Sequence, residues 1–322
     1  MSNMTTGKRI AIYLGFTFAV TYALEIFVIG NLMNNAALAP VFTLLVGAMM
    51  FIPALGVLFT RLVTKEGFKD AWILPNFKGH VRFYILAWLL PAGLIIIGAA
   101  LYFIIYPNLF DPAMGYMAQS YAAQGLSLES PAVQSMTLLS IAVGLLFSPV
   151  LNILNATGEE WGWRGYLVPK LSEKMSVVPT VLLSGVIWGL WHAPLTILIG
   201  HNYGFGYAGY PFTGILAMCG FCIVMGTLFS YVSLRTRSCL PAAIAHGTLN
   251  GMAATGVVFI SGVDAVNPFV GPVPTGIIGG IGFIVAMVIL IVIMVRLEKK
   301  QQLIAPPKQA AVEPDALPAS AE

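Results

Sequence analysis

Asn155-Ala156-Thr157-Gly158-Glu159-Glu160-Trp161-Gly162-Trp163-Arg164 closes a long apolar run with two adjacent carboxylates and an arginine. Charged groups at membrane depth are costly, so where they occur they usually serve a purpose. Glu160 and Arg164 are four apart, on one face of a helix, where an ion pair can form. Glu159 is turned away from them by about 100°. One carboxylate is thus held by a cation and the other is free for chemistry. A helix end reaching the membrane interface, where Glu, Trp and Arg are ordinary, accounts for the same stretch. Both readings stay open on these ten residues alone.

The composition decides the class of protein. Of 322 residues, 58% are hydrophobic and 9% charged, against about 25% charged in soluble domains. The chain is therefore expected to be an all-α integral membrane protein. A net charge of +3 is too small to argue for a nucleic-acid partner. Cys219 and Cys222 form a C-x-x-C inside an apolar run, with only Cys239 besides, so no second pair completes a zinc site. They read as buried thiols. Near the N-terminus, Lys8-Arg9 precede an apolar stretch from Ile10 to about Leu32, too long for a signal h-region and interrupted by Glu25. It reads as a retained first membrane helix; no partner for Glu25 stands out, though Tyr22 and Asn31 are near it in sequence.

Hydropathy gives eight spans at about 10–32, 38–61, 82–106, 134–158 (with an extension to about 170), 177–200, 212–234, 240–261 and 273–296. Every Lys and Arg then falls on one side: Lys8 and Arg9; Arg61 to Arg82; Arg164 to Lys174; Arg235 and Arg237; and Arg296 to Lys308. The loops at about 33–37, 107–133, 201–211 and 262–272 carry only Asp111, Glu129 and Asp264. Both termini are expected to be cytoplasmic, in the plasma membrane of a prokaryote. Residues 1–302 read as one helical domain and 303–322, rich in Ala and Pro, as a disordered tail. The loop at 107–133 has room for a short interfacial helix. No internal repeat is visible.

Polar residues gather in the later spans. Trp188 and His192 are four apart, as are His246 and Asn250, and Gly247 with Gly251 allows a neighbouring helix to approach closely. Glu159, Glu160, Arg164, His192, His246 and Asn250 would each be costly alone in hydrocarbon, and satisfy one another if they converge. A water held between a carboxylate and imidazoles is the minimum equipment for hydrolysis. His80 and His201, in loops, read as solvated and uninvolved.

E-E-x-x-x-R at 159–164, aromatic-x-x-x-H at 188–192 and H-x-x-x-N at 246–250, in this order on successive spans, resemble the CPBP intramembrane proteases. These are relatives of the CAAX prenyl endopeptidase and of bacteriocin-processing and immunity proteins. The likeness covers a core of about 134–260; Trp188 stands where many members have Phe. The resemblance implies an intramembrane endopeptidase acting on a protein or peptide substrate, which can itself be membrane-associated. Glu159 would activate water with the help of His192, Glu160 and Arg164 would hold the site together, and His246 with Asn250 would stabilise the oxyanion. A metal such as zinc on Glu159, His192 and His246 and a metal-free glutamate mechanism both stay open; H-E-x-x-H is absent. The site is expected to open to the cytoplasmic side. His192 is deep for that, about 20 Å into span five, so span four must extend inward past Glu159, or span five must tilt or begin beyond the interface. The competing readings are a non-catalytic immunity or scaffold protein on the same fold and, less favoured without repeats, a transporter.

Overall fold

The computed structural model describes residues 4–32, 39–126, 130–262 and 266–307. The protein is an all-α membrane protein. Among the described residues seven helices are long and apolar enough to cross a bilayer: Thr6–Leu32, Leu44–Val63, Val81–Ile105, Pro131–Leu151, Val177–Ile199, Phe212–Thr236 and Ile281–Lys299. The eighth expected span is built differently, as an α-helix over Leu240–Met252 continued by a 3-10 turn over Ala253–Phe259. The last span starts at Ile281, later than the expected 273, because Gly271, Pro272, Pro274, Gly276, Gly279 and Gly280 keep the preceding segment in turns. A short helix, Gly115–Ala123, occupies the 107–133 loop. Glu129, Asp264, the 33–37 loop and residues 308–322 lie outside the described residues.

Span four does extend inward. The helix Ser130–Leu151 (α1) is followed after Asn152 by Ile153–Gly162 (α2), a π-helical turn over Trp163–Leu167, and Val168–Ser172 (α3). Pro149 withholds the N–H that would bond to the Leu145 carbonyl. The Trp88 indole supplies it instead, Nε1 to O at 2.7 Å. Span five, Val177–Trp191 (α4) and Ala193–Ile199 (α5), repeats the device. Pro194 leaves the Leu190 carbonyl short of its helical donor, and the Tyr22 hydroxyl bonds to it at 2.6 Å. Tyr22 is therefore not the partner of Glu25, and Asn31 bonds to the Phe27 carbonyl. Glu25 is fully buried, at the first position of a π-helical turn, and both its carboxylate oxygens lack a hydrogen-bond partner among the described residues.

Three Gly-x-x-x-Gly pairs bring the later spans together, as small residues do where lipid offers no hydrophobic drive. Gly158 and Gly162 of α2 lie against Met50, Phe51 and Pro53. Gly185 and Gly189 of α4 lie against the backbone of Ile223 and Cys219 in Phe212–Thr236 (α6). Gly247 and Gly251 of Leu240–Met252 (α7) lie against Ser148, Pro149 and Asn152, the close approach expected from the sequence. The three cysteines are free and buried.

The described Lys and Arg, Arg164 apart, collect at one end of the bundle, where the segments 64–80, 173–176, 237–239 and 300–307 meet. Glu66 joins two of them, with Lys170 Nζ 2.6 Å and Arg9 3.7 Å from its carboxylate, and the Tyr166 hydroxyl donates to it at 3.0 Å. Arg237 grips Asp70 with two nitrogens at 3.0 and 2.7 Å. Leu303 and Ala305 are buried here, and the Ala305 N–H bonds to the Leu234 carbonyl. The packed chain thus runs past the boundary expected at 302, since apolar side chains and a free carbonyl on α6 give it a seat.

Burial pushes the Glu66 carboxyl up, but the Lys170 ammonium outweighs it and holds the group below its ordinary value. A depressed carboxyl stabilises the fold above the unfolded value of about 4.3, and that contribution fades as pH falls through the folded value. Glu66→Gln is expected to cost about 1–3 kcal/mol near pH 7, the range for hydrogen bonds to charged groups. The gap from wild type should close below about pH 4, as read by thermal unfolding in detergent across that range.

Candidate active site

The polar residues of α2, α4 and α7 are brought to one place by the glycine contacts of those helices. Glu160 and Arg164 are fully buried, and Arg164 Nη1 lies 3.0 Å from both oxygens of the carboxylate. His246 Nδ1 lies 2.9 Å from Glu160 Oε1, so one carboxylate ties α2 to α7. The rest of the guanidinium is covered by rings: its Cζ lies 4.1 Å from the centre of Trp188 and 5.3 Å from that of Phe229. Desolvated cation–π contacts of this kind are worth about 2 kcal/mol. Gly226 makes the room, since a Cβ there would meet Arg164 Nη2 at 2.6 Å.

Trp188 is the hub. Its Nε1 donates to Glu159 Oε1 at 2.5 Å, and Trp163 Nε1 donates to the same oxygen at 3.3 Å. Its ring lies 5.6 Å from that of His246 and 5.9 Å from that of His192, centre to centre. The sequence shows an aromatic wall at this position; the structure adds a hydrogen bond to the neighbouring carboxylate, which Phe has no N–H to make. His192 Nδ1 lies 2.9 Å from the Trp188 carbonyl oxygen. An imidazole facing a carbonyl must donate, which leaves Nε2 as the acceptor in the neutral ring.

His192, His246, Asn250 and Trp188 line one cavity of about 600 Å³. Glu159 is 2% exposed and does not line it; Trp188 stands against its carboxylate. His201, read from the sequence as uninvolved, does line it, its ring parallel to His192 with centres 5.7 Å apart. Gly200 in a left-handed conformation turns the chain back after α5 and places His201 there. Nine residues of spacing between His192 and His201 gave no helical reason to pair them.

The cavity lies away from the basic end of the bundle. Its wall runs from Trp188 and Leu249 to Gly204, Val266 and Thr275, in turns at the end opposite the basic residues. The reason is the length of span four: Glu159 lies 13 residues before Ser172, the end of α3, about 20 Å from the basic end.

Glu159, His192 and His246 do not form a metal-ligand set. Among the described residues no group of three His, Cys, Asp or Glu side chains converges to hold an ion. The zinc alternative finds no support in these donors, and no step below passes through a metal.

The helical frame thus sets two histidines and an asparagine on one cavity, with the paired glutamates buried behind its wall. Residues 134–252 match the family described as type II CAAX prenyl endopeptidase, Rce1-like. CAAX prenyl protease 2 of Methanococcus maripaludis is 34% identical over 107 residues, or 32% of this chain. The chain spans 39% of the length of that curated relative. The matched residues 134–252 include all seven positions singled out in the sequence.

Removing the Arg164 cation strands Glu160 in a fully buried site. Arg164→Ala is expected to destabilise by about 3–5 kcal/mol, the usual cost of breaking a buried pair. Gly226→Ala, which touches no hydrogen bond, should also lower the melting temperature by crowding the guanidinium. A melting curve of Gly226→Ala that overlays wild type would show that the arginine is not held as described.

Proposed function

We propose that this protein is an intramembrane endopeptidase that hydrolyses a peptide bond with water activated by Glu159. The observation that carries the reading is the single cavity shared by His192, His246 and Asn250, with Glu159 fixed behind its Trp188 wall. Water entering beside Trp188 would give its proton to Glu159 and attack the carbonyl carbon. His192 Nε2, as acceptor, would orient that water. The tetrahedral oxyanion needs donors: Asn250 has an amide N–H₂, and His246 donates from Nε2 as an imidazolium, with Glu160 its counter-ion at 2.9 Å. Glu159, protonated, would then return its proton to the leaving amine. Every proton in this cycle is accounted for by protein side chains and water, so activity should survive a zinc chelator.

The substrate is a polypeptide. By the distribution of Lys and Arg, both termini face the cytoplasm of a prokaryotic cell. A second reading, a non-catalytic membrane partner on the same frame, is favoured by one feature: both indoles bond to the carboxylate that would act as base.

One substitution separates the two. Glu159→Gln keeps an oxygen for the indoles and removes the base, so peptide release from membranes should fall by at least about 100-fold, as for loss of a general base. The melting temperature should stay near that of wild type. Unchanged release from a folded Glu159→Gln protein would remove Glu159 from the mechanism, and a wild type that releases nothing would favour the partner reading.

A further inference from the structure

The two ends of the site differ. Towards the basic residues it is sealed: Trp163, Tyr166 and Leu167 are all but inaccessible, and Trp161 Nε1 is fastened to the Ala71 carbonyl at 2.7 Å. The Cys239 N–H bonds to the Trp72 carbonyl at 2.7 Å, which closes the turn before α7 onto the 64–80 segment. The hollows at this end, walled by Asp70, Trp72 and Arg237, reach none of Glu159, His192, His246 or Asn250. Towards the other end the cavity runs past His201 to Gly204, Val266 and Thr275. No Lys, Arg, Asp or Glu lines it among the described residues.

An apolar groove of about 350 Å³ continues from this cavity, sharing Phe221, Pro274 and Thr275 with it. It runs between α6 and the last span, Ile281–Lys299 (α8), where Gly220 and Gly280 leave space. An uncharged peptide segment that continues into an apolar stretch matches both compartments at once: the cavity with its few polar groups for the bond to be cut, the groove for the membrane-inserted flank. A segment bearing Lys or Asp beside the scissile bond would meet no counter-charge there.

We propose that the site is loaded from the face opposite the basic residues, by an uncharged juxtamembrane segment of a membrane-anchored protein lying on the outer side of the membrane. The proposal rests on the peptidase reading for there being a substrate, and on the cavity's geometry together with the one-sided distribution of Lys and Arg for the side. It reverses the direction of access expected from the sequence. His201 lines this route, and burial pushes its imidazole below the ordinary value, so it is uncharged at neutral pH.

Single cysteines test the side without any cleavage assay. Val266→Cys and Tyr116→Cys stand at the mouth and Lys69→Cys at the basic end, in the full chain, whose own three cysteines are buried. A membrane-impermeant maleimide added to intact cells should label the two mouth cysteines and leave Lys69→Cys unlabelled until the membrane is permeabilised. The reverse pattern would overturn the proposal, as would mouth cysteines that react only after permeabilisation. A second arm offers an impermeant, uncharged, apolar-flanked peptide to right-side-out and inverted vesicles, with Glu159→Gln as blank. Release above the blank from right-side-out vesicles only is the expected result, and release from inverted vesicles only overturns it. Mouth labelling as expected with no release from either orientation upholds the route of access and tells against the peptidase reading.

Discussion

A fully buried ion pair, Glu160 with Arg164, is the constraint around which the late helices are arranged. Desolvating two charges costs more than their attraction returns unless the surroundings supply further partners. Here His246 takes up the carboxylate and two aromatic faces take up the cation, and each partner comes from a different helix. The pair therefore binds α2, α4, α6 and α7 to one another in a single relative position. Polar groups that would be a liability singly become the reason for one bundle geometry.

The same economy governs the backbone. Pro149 lies inside α1 and Pro194 in the first turn of α5, and each leaves a carbonyl short of its helical donor in a medium with no water to satisfy it. Trp88 and Tyr22, from distant spans, close these gaps. Bends are thus coupled to tertiary contacts. The later spans cannot adopt their kinks without the first and third spans in place, which explains how helices that carry none of the site residues still shape it.

Much of this was legible in the sequence because hydropathy and charge are local properties. The span count and the one-sided distribution of basic residues follow from them directly. The Glu160–Arg164 pair followed from helical spacing. What local pattern could not show was depth. The extension of span four, expected to about 170, runs to Ser172, but how far this sets Glu159 and the cavity from the basic end was not readable from hydropathy. His201 was missed for a related reason, since a turn and not a helical period carries it to His192. Gly158 with Gly162, and Gly185 with Gly189, did carry a readable signal, the same one noticed at Gly247 and Gly251. Trp188 was read by its ring, and its N–H proved to be the more consequential half.

The π-helical turn over Trp163–Leu167 has a consequence for how this protein tolerates length changes. Such a turn is an α-helix that has absorbed one extra residue without ending. It sets the phase between the carboxylates above it and the anchoring residues Tyr166 and Lys170 at or below it. Restoring plain α-helix by deleting one residue would rotate one half against the other by about 100°. Either the carboxylates and Arg164 would be turned away from Trp188, Phe229 and His246, or Tyr166 and Lys170 would be turned away from Glu66, while every other residue type stayed the same. Substitutions on either side are local events, whereas a one-residue indel in this turn acts on the whole site as a change of registration.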